Sequence, residues 1–143
     1  MSKTYIPANL RLFVFDRAQG CCEYCLIPER MSLASHQIDH VIAEKHGGAT
    51  IEENLALSCM LCNQAKGSDI ASIDPETGNT VRLYHPRQDQ WTKHFRFFPE
   101  TGMIQPLTAI GRVTVQLLQV NRAGSLPVRH ILAQANALTI PTP

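Results

Sequence analysis

Cys22-Glu23-Tyr24-Cys25 and Cys59-Met60-Leu61-Cys62-Asn63 are two C-x2-C pairs, and His36-Gln37-Ile38-Asp39-His40-Val41-Ile42 runs between them. These three stretches decide the fold. All five cysteines, Cys21 included, fall within the two clusters. A disulfide framework would scatter its cysteines along a secreted chain. Two C-x2-C pairs instead suit a tetrahedral site, because that spacing wraps each pair of thiolates around one ion. The expectation is one structural Zn2+ held by Cys22, Cys25, Cys59 and Cys62. Cys21 could replace Cys22 only through the less usual C-x3-C spacing. A redox role for one pair lacks the βαβ pattern such a motif needs around it.

The rest of the composition narrows the class. The chain has 143 residues, 44% of them apolar and 17% charged, which is the size and texture of one ordinary domain. Thirteen Lys and Arg against twelve Asp and Glu give a net charge of +1, so any nucleic-acid surface must be local. No run approaches the ~20 apolar residues of a membrane span. The start, Met1 to Pro7, lacks the apolar run of a signal peptide, so the expectation is a cytoplasmic protein with no membrane partner.

Periodicity places the elements. Leu10, Val14 and Ala18 recur at helical spacing within residues 8–20, with Gly20 as the stop, although Leu12 to Phe15 also fit a strand. Residues 36–43 read as a strand and Gly47-Gly48 as a loop. Ile51 to Leu57 reads as a short turn or helix, and Asn63 to Ile70 as a helix leaving the second knuckle. Pro-Glu-Thr-Gly occurs at 75–78 and again at 99–102, which reads as repeated turn chemistry. Val81 to His85 and His94 to Phe98 read as strands, with Trp91 and His94 in a packed hairpin. Thr108 is placed to cap a helix lined by Ile110, Val113, Leu117 and Val120. Pro127 begins a last helix with Val128, Leu132 and Ala135 inward.

The insert between the knuckles carries the chemistry. Ile38-Asp39-His40-Val41-Ile42, Gly47-Gly48, and Asn54-Leu55-x-Leu57-x-Cys59-x2-Cys62-Asn63-x2-Lys66-Gly67 together resemble the HNH nuclease family, in its variant with a four-cysteine zinc. The resemblance covers about residues 20–70. It implies an α+β fold with a ββα-metal (His-Me finger) core, a β-hairpin on a helix with a divalent ion between them. A C-terminal β-hairpin and two helices extend this core. Leu83-x-His85-Pro86-Arg87, Trp91-x2-His94-Phe95 and Gly111-Arg112-Val113-Thr114 also resemble the C-terminal half of small stand-alone bacterial HNH proteins. By that resemblance His40 is the general base, Asp39 a metal ligand, Asn54 the residue that holds the hairpin loop, and Asn63 the second metal ligand. Asn63 stands where the family's name has a His, and a carbonyl oxygen favours Mg2+ or Mn2+ over a softer ion. Ala43 stands where relatives often have Pro.

The residue types suit phosphodiester hydrolysis on physical grounds as well. A histidine near its ordinary pKa takes a proton from water at neutral pH. A divalent ion on only two protein ligands keeps positions open for phosphate and water. His46, beside the glycines, and Lys66 are candidates for a phosphate or metal contact, and Arg17, Lys45 and Arg82 for phosphate. His36 reads as a strand-face residue. The expected function is a metal-dependent endonuclease acting on DNA, with RNA left open. The alternative is a zinc module that docks nucleic acid or protein and cleaves nothing. Residues 1–143 are read as one domain, a core at about 20–72 with 73–143 packed on it, because fifty residues are near the lower limit for independent stability.

Overall fold

The computed structural model describes residues 4–143. Its first helix, α1, spans Ala8–Arg17 and settles the alternative readings of that segment. Leu10, Phe15 and Ala18 pack with buried Val14 against Leu55 and Leu57. Beyond the helix, Gly20 sits at φ +69°, where its N–H bonds Phe15 O at 3.0 Å.

The strand β1 is shorter than the sequence suggested, Gln37–His40, because the chain bends at Val41 and Ile42 and enters a 3-10 turn at Glu44–His46. Its partner β2, Leu55–Ser58, pairs antiparallel with Asp39 opposite Ala56. This strand lies inside the stretch read as a turn or helix. Its four residues are all buried, so neither face alternates and no strand signal shows. The predicted helix after the second knuckle begins earlier, as α2 at Met60–Lys66, and Gly67 ends it. Cys59 caps it, its Sγ accepting from Cys62 N at 3.3 Å. The hairpin β1–β2 therefore leads directly into α2.

The extension contains two hairpins where the sequence suggested one. The strands β3 (Ala71–Ile73) and β4 (Thr80–Arg82) pair with each other, as do β5 (Phe95–Phe98) and β6 (Met103–Pro106). Each hairpin is closed by one of the Pro-Glu-Thr-Gly copies. Gly78 and Gly102 adopt φ +76° and +78°, and their N–H groups bond Asp74 O and Phe98 O, both at 2.8 Å. The repeated tetrapeptide is thus repeated turn chemistry. Trp91 and His94 are not strand residues: they form the single turn α3, Trp91–His94, which delivers the chain to β5.

Helix α4, Ala109–Leu118, starts where Thr108 Oγ1 accepts from Gly111 N at 3.1 Å. Helix α5, Ser125–Gln134, buries Leu132 and Arg129 but leaves Ala135 exposed, contrary to the inward placement expected of it. One apolar cluster joins Cys22, Tyr24, Cys25, Cys59 and Cys62 to Tyr84, Trp91, Phe95, Ile104, Val113 and Leu118. The cysteine knuckles and the extension share this core. No helix among the described residues is long and apolar enough to cross a membrane.

Candidate metal centre and cleft

The sulfur atoms of Cys22, Cys25, Cys59 and Cys62 lie within 4.8 Å of one another, and all four residues are buried. In each knuckle a backbone N–H points at the first sulfur: Cys25 N to Cys22 Sγ at 3.4 Å, and Cys62 N to Cys59 Sγ at 3.3 Å. Hydrogen bonds among the four thiols drive their acidities apart. They push Cys59 far down and Cys25 and Cys62 well up. A dication removes that conflict, since all four then bind as thiolates. The donor set fits a structural zinc. Cys21 stays outside the cluster and turns its Sγ to Gln19 O at 3.5 Å.

Next to the knuckles an open cleft of about 440 Å³ is lined by Asp39, His40 and Asn63. Strand alternation turns Ile38 away from Gln37 and Asp39. Ile38 packs toward α1, whereas Gln37 and Asp39 meet α2. Asn63 Nδ2 donates to Gln37 Oε1. Asp39 is 5% exposed and accepts from Tyr24 Oη at 2.8 Å. Lys66, 1% exposed, places its Nζ 3.3 Å from Asp39 Oδ1 and 3.2 Å from Oδ2, and donates to His40 O at 3.3 Å. Burial raises the Asp39 pKa, while Lys66 and the tyrosine hydrogen bond oppose that shift. A carboxylate this buried needs a positive partner, and Lys66 is that partner.

His40 is held from its far side. Its Nε2 lies 2.8 Å from Thr50 Oγ1 and 3.4 Å from Glu44 Oε1, while Nδ1 is buried with no hydrogen-bond partner. A carboxylate only accepts, so a proton on Nε2 suits both neighbours and leaves the lone pair on Nδ1. The loop behind Thr50 is fixed by Asn54. Its Oδ1 accepts from Ile42 N, and its Nδ2 donates to Ile42 O and Ala49 O, each at 2.9 Å. Gly48 has no room for a side chain: a Cβ there would stand 1.7 Å from Ile42 O and 2.8 Å from Asn54 Nδ2.

The other candidates fall differently. His46 is exposed in the 3-10 turn and does not line the cleft. Lys66 is buried on Asp39 and is not at the surface where a phosphate would reach it. Arg17 donates to Glu52 O and Leu55 O, and Arg82 forms a two-pronged pair with Asp89 at 2.7 Å. Lys45 does line the cleft. So does His36, whose Nε2 is 2.8 Å from Ile27 O and whose Nδ1 is buried without a partner. Sequence reasoning missed Thr50, Glu44 and Tyr24 as neighbours of the site. It also missed Arg11, which lines the cleft from α1 with its Nε on Ile6 O at 3.1 Å. Tyr24 had the one usable signal, its place inside a knuckle.

Residues 22–69 match the model of the HNH endonuclease family, so the recognition read from Asp39-His40, Asn54 and Asn63 stands. Among curated proteins, the Septu protein PtuA of Bacillus mycoides (strain KBAB4) is 31% identical over 88 residues. That alignment covers 54% of this chain and only 12% of the relative, so the chain spans a small part of that protein's length. No solved structure matches.

Proposed function

We propose that the chain is a divalent-metal-dependent endonuclease with a ββα-metal core that hydrolyses phosphodiester bonds of DNA. His40 is the general base, and Asp39 and Asn63 hold one Mg2+ or Mn2+. The observation that carries this reading is the convergence of Asp39, His40 and Asn63 on one open cleft inside the segment matched by the HNH family. When bound, the divalent ion supplies positive charge to the scissile phosphate and the departing oxygen.

The chain's own groups do the rest. His40 accepts the proton of the attacking water at Nδ1, the ring nitrogen without a partner. Thr50 and Glu44 hold Nε2 and fix the tautomer, and Asn54 keeps their loop in place. The four-cysteine zinc folds the knuckles and sets Asn63, one residue past Cys62. Arg11 and Lys45 supply cationic groups to the phosphates lying along the cleft.

The test is cleavage of supercoiled plasmid by protein freed of loosely bound metal, with Mg2+, Mn2+, Ca2+ or Zn2+ added one at a time. Nicked or linear DNA with Mg2+ or Mn2+, and none with a chelator, is the expected result. A parallel reaction on RNA decides the substrate class. Plasmid binding with no cleavage under every ion would overturn the enzyme and favour a zinc docking module.

A further inference from the structure

Tyr24 sits inside the first knuckle, between the ligand residues Cys22 and Cys25, and is 2% exposed. Its ring is fixed on the far side by Tyr84 of the extension, edge-on at 6.4 Å between centroids. Its hydroxyl donates to Asp39 Oδ2 at 2.8 Å. In the second knuckle, Asn63 follows Cys62 in the chain. Each residue assigned above to the divalent ion is therefore tied to one knuckle. Asn63 is tied by the backbone, and Asp39 by a single hydrogen bond from a side chain that has nowhere else to go.

Asp39 has two donors, and they differ in kind. Lys66 brings a positive charge to both carboxylate oxygens, so it competes with an incoming cation. Tyr24 brings a neutral O–H to one oxygen, so it can stay in place when the ion arrives. A ligand carboxylate pinned at one oxygen presents the other in a fixed orientation. Partners of this kind tune a metal site without touching the metal.

We propose that Tyr24 is a positioning residue for the divalent-ion site, through which the structural zinc knuckle sets how tightly that ion is held. This rests on the reading of Asp39 and Asn63 as its ligands. The zinc then has a second task besides folding. It fixes the protein's grip on the second metal, and the Asp39 hydrogen bond is the connection.

The test is Tyr24→Phe in the full chain. Zinc content is measured by elemental analysis, and Mn2+ binding by the electron paramagnetic resonance signal of free Mn2+, in the absence of DNA. The expected result is unchanged zinc, a folded chain and Mn2+ affinity weaker by about 10–100-fold, the usual cost of losing such a partner. Plasmid cleavage should then need more Mn2+ for half its rate while keeping its rate at saturating ion. Wild-type Mn2+ affinity in Tyr24→Phe overturns the inference and leaves the nuclease reading standing. Loss of zinc in Tyr24→Phe also overturns it, since the tyrosine then serves the knuckle and not Asp39. A wild-type chain that binds no Mn2+ overturns both readings together.

Discussion

The segment that matches the nuclease family and the extension behind it leave buried polar atoms unpartnered in different places. In the extension, Arg129 is fully buried and every nitrogen of its guanidinium donates. Nε reaches Gly102 O at 2.6 Å, one terminal nitrogen reaches Val120 O and Cys25 O, and the other reaches Asn121 Oδ1 at 2.9 Å. Asp74, equally buried, is saturated by Arg112 and Thr77. Trp91 Nε1, Arg87 Nε and Arg122 NH1 have no partner there, but each belongs to a side chain anchored by packing or by another nitrogen. In the matched segment the unpartnered atoms are the Nδ1 positions of His36 and His40, imidazoles that line the cleft. An unpaired buried polar atom costs about 1–3 kcal/mol. Both regions carry that cost, the extension on side chains otherwise anchored and the matched segment on two imidazoles that line the cleft. The difference lies in position: the extension's orphaned atoms sit on anchored side chains, a finished half, and those of the matched segment lie at the cleft, the open half.

Removing the zinc bears on both regions at once. Structural zinc contributes roughly 10–16 kcal/mol of binding free energy in small folded sites, as much as a domain's whole stability. Cys59→Ser should abolish stoichiometric zinc and the folded core, read by elemental analysis and circular dichroism. Cys21→Ser should change neither. A folded, zinc-free Cys59→Ser protein would remove the metal from the account of the fold.

His40→Ala sharpens the contrast from the open side. Cleavage should fall by about 10²–10⁴-fold with zinc content unchanged and the chain still folded, because a general base serves chemistry and not the fold. If His40→Ala loses its fold or keeps full cleavage instead, His40 belongs with the saturated groups of the extension.

The two halves were also legible to different degrees. The knuckles, Asp39-His40, Asn54 and Asn63 stand in the sequence with fixed spacing, because metal and loop geometry tie identity to position. β2 did not, since Leu55 to Ser58 is buried on both faces and carries no period. The second hairpin of the extension was hidden because β3 and β6 are short, and β6 ends in Pro106. The direction of a long side chain was not legible either. Lys66 reads as a surface cation one turn past Asn63, yet the helix turns it inward onto Asp39, where burial and a carboxylate hold it. Thr50 and Glu44 reach His40 only because Asn54 folds the loop back, and no local pattern encodes that.

Arg129 tests whether the finished half and the open half are one folding unit, the reading of residues 1–143 as a single domain. Its contact with Cys25 O joins α5 to the first knuckle. Arg129→Leu leaves several buried carbonyls without donors and should cost about 3 kcal/mol, from roughly 1–3 kcal/mol per stranded acceptor with partial relaxation. That corresponds to a melting temperature lower by about 6–12 °C for a chain of this length. Trp91 fluorescence reports the extension, and zinc release to a chromogenic chelator reports the knuckles. The two transitions should shift together. If they part, the extension is a separate unit and its boundary lies near residue 71.

The smallest expected effect lies at the edge of the cleft and asks how far the open half extends. Arg11 is in α1, outside the matched segment 22–69, yet it lines the same cleft as Asp39 and Asn63. Its Nε is held by Ile6 O, which aims the guanidinium, and among the described residues none bonds its terminal nitrogens, the groups that would reach a phosphate. A phosphate contact has a signature that packing lacks: binding weakens with salt, and removing one contact lowers the slope of log K against log salt by about one. Arg11→Gln should therefore flatten the salt dependence of DNA binding by that amount. Fluorescence anisotropy in Ca2+ measures it without cleavage. Zinc content, Mn2+ affinity and melting should stay at wild-type values, since the Nε bond to Ile6 O joins two neighbouring turns of chain near the surface. An unchanged slope would place Arg11 with Arg17 and Arg82, cations committed to the protein's own carbonyls and carboxylates. A slope lowered by one would carry the substrate surface past the family's motif and onto the first helix.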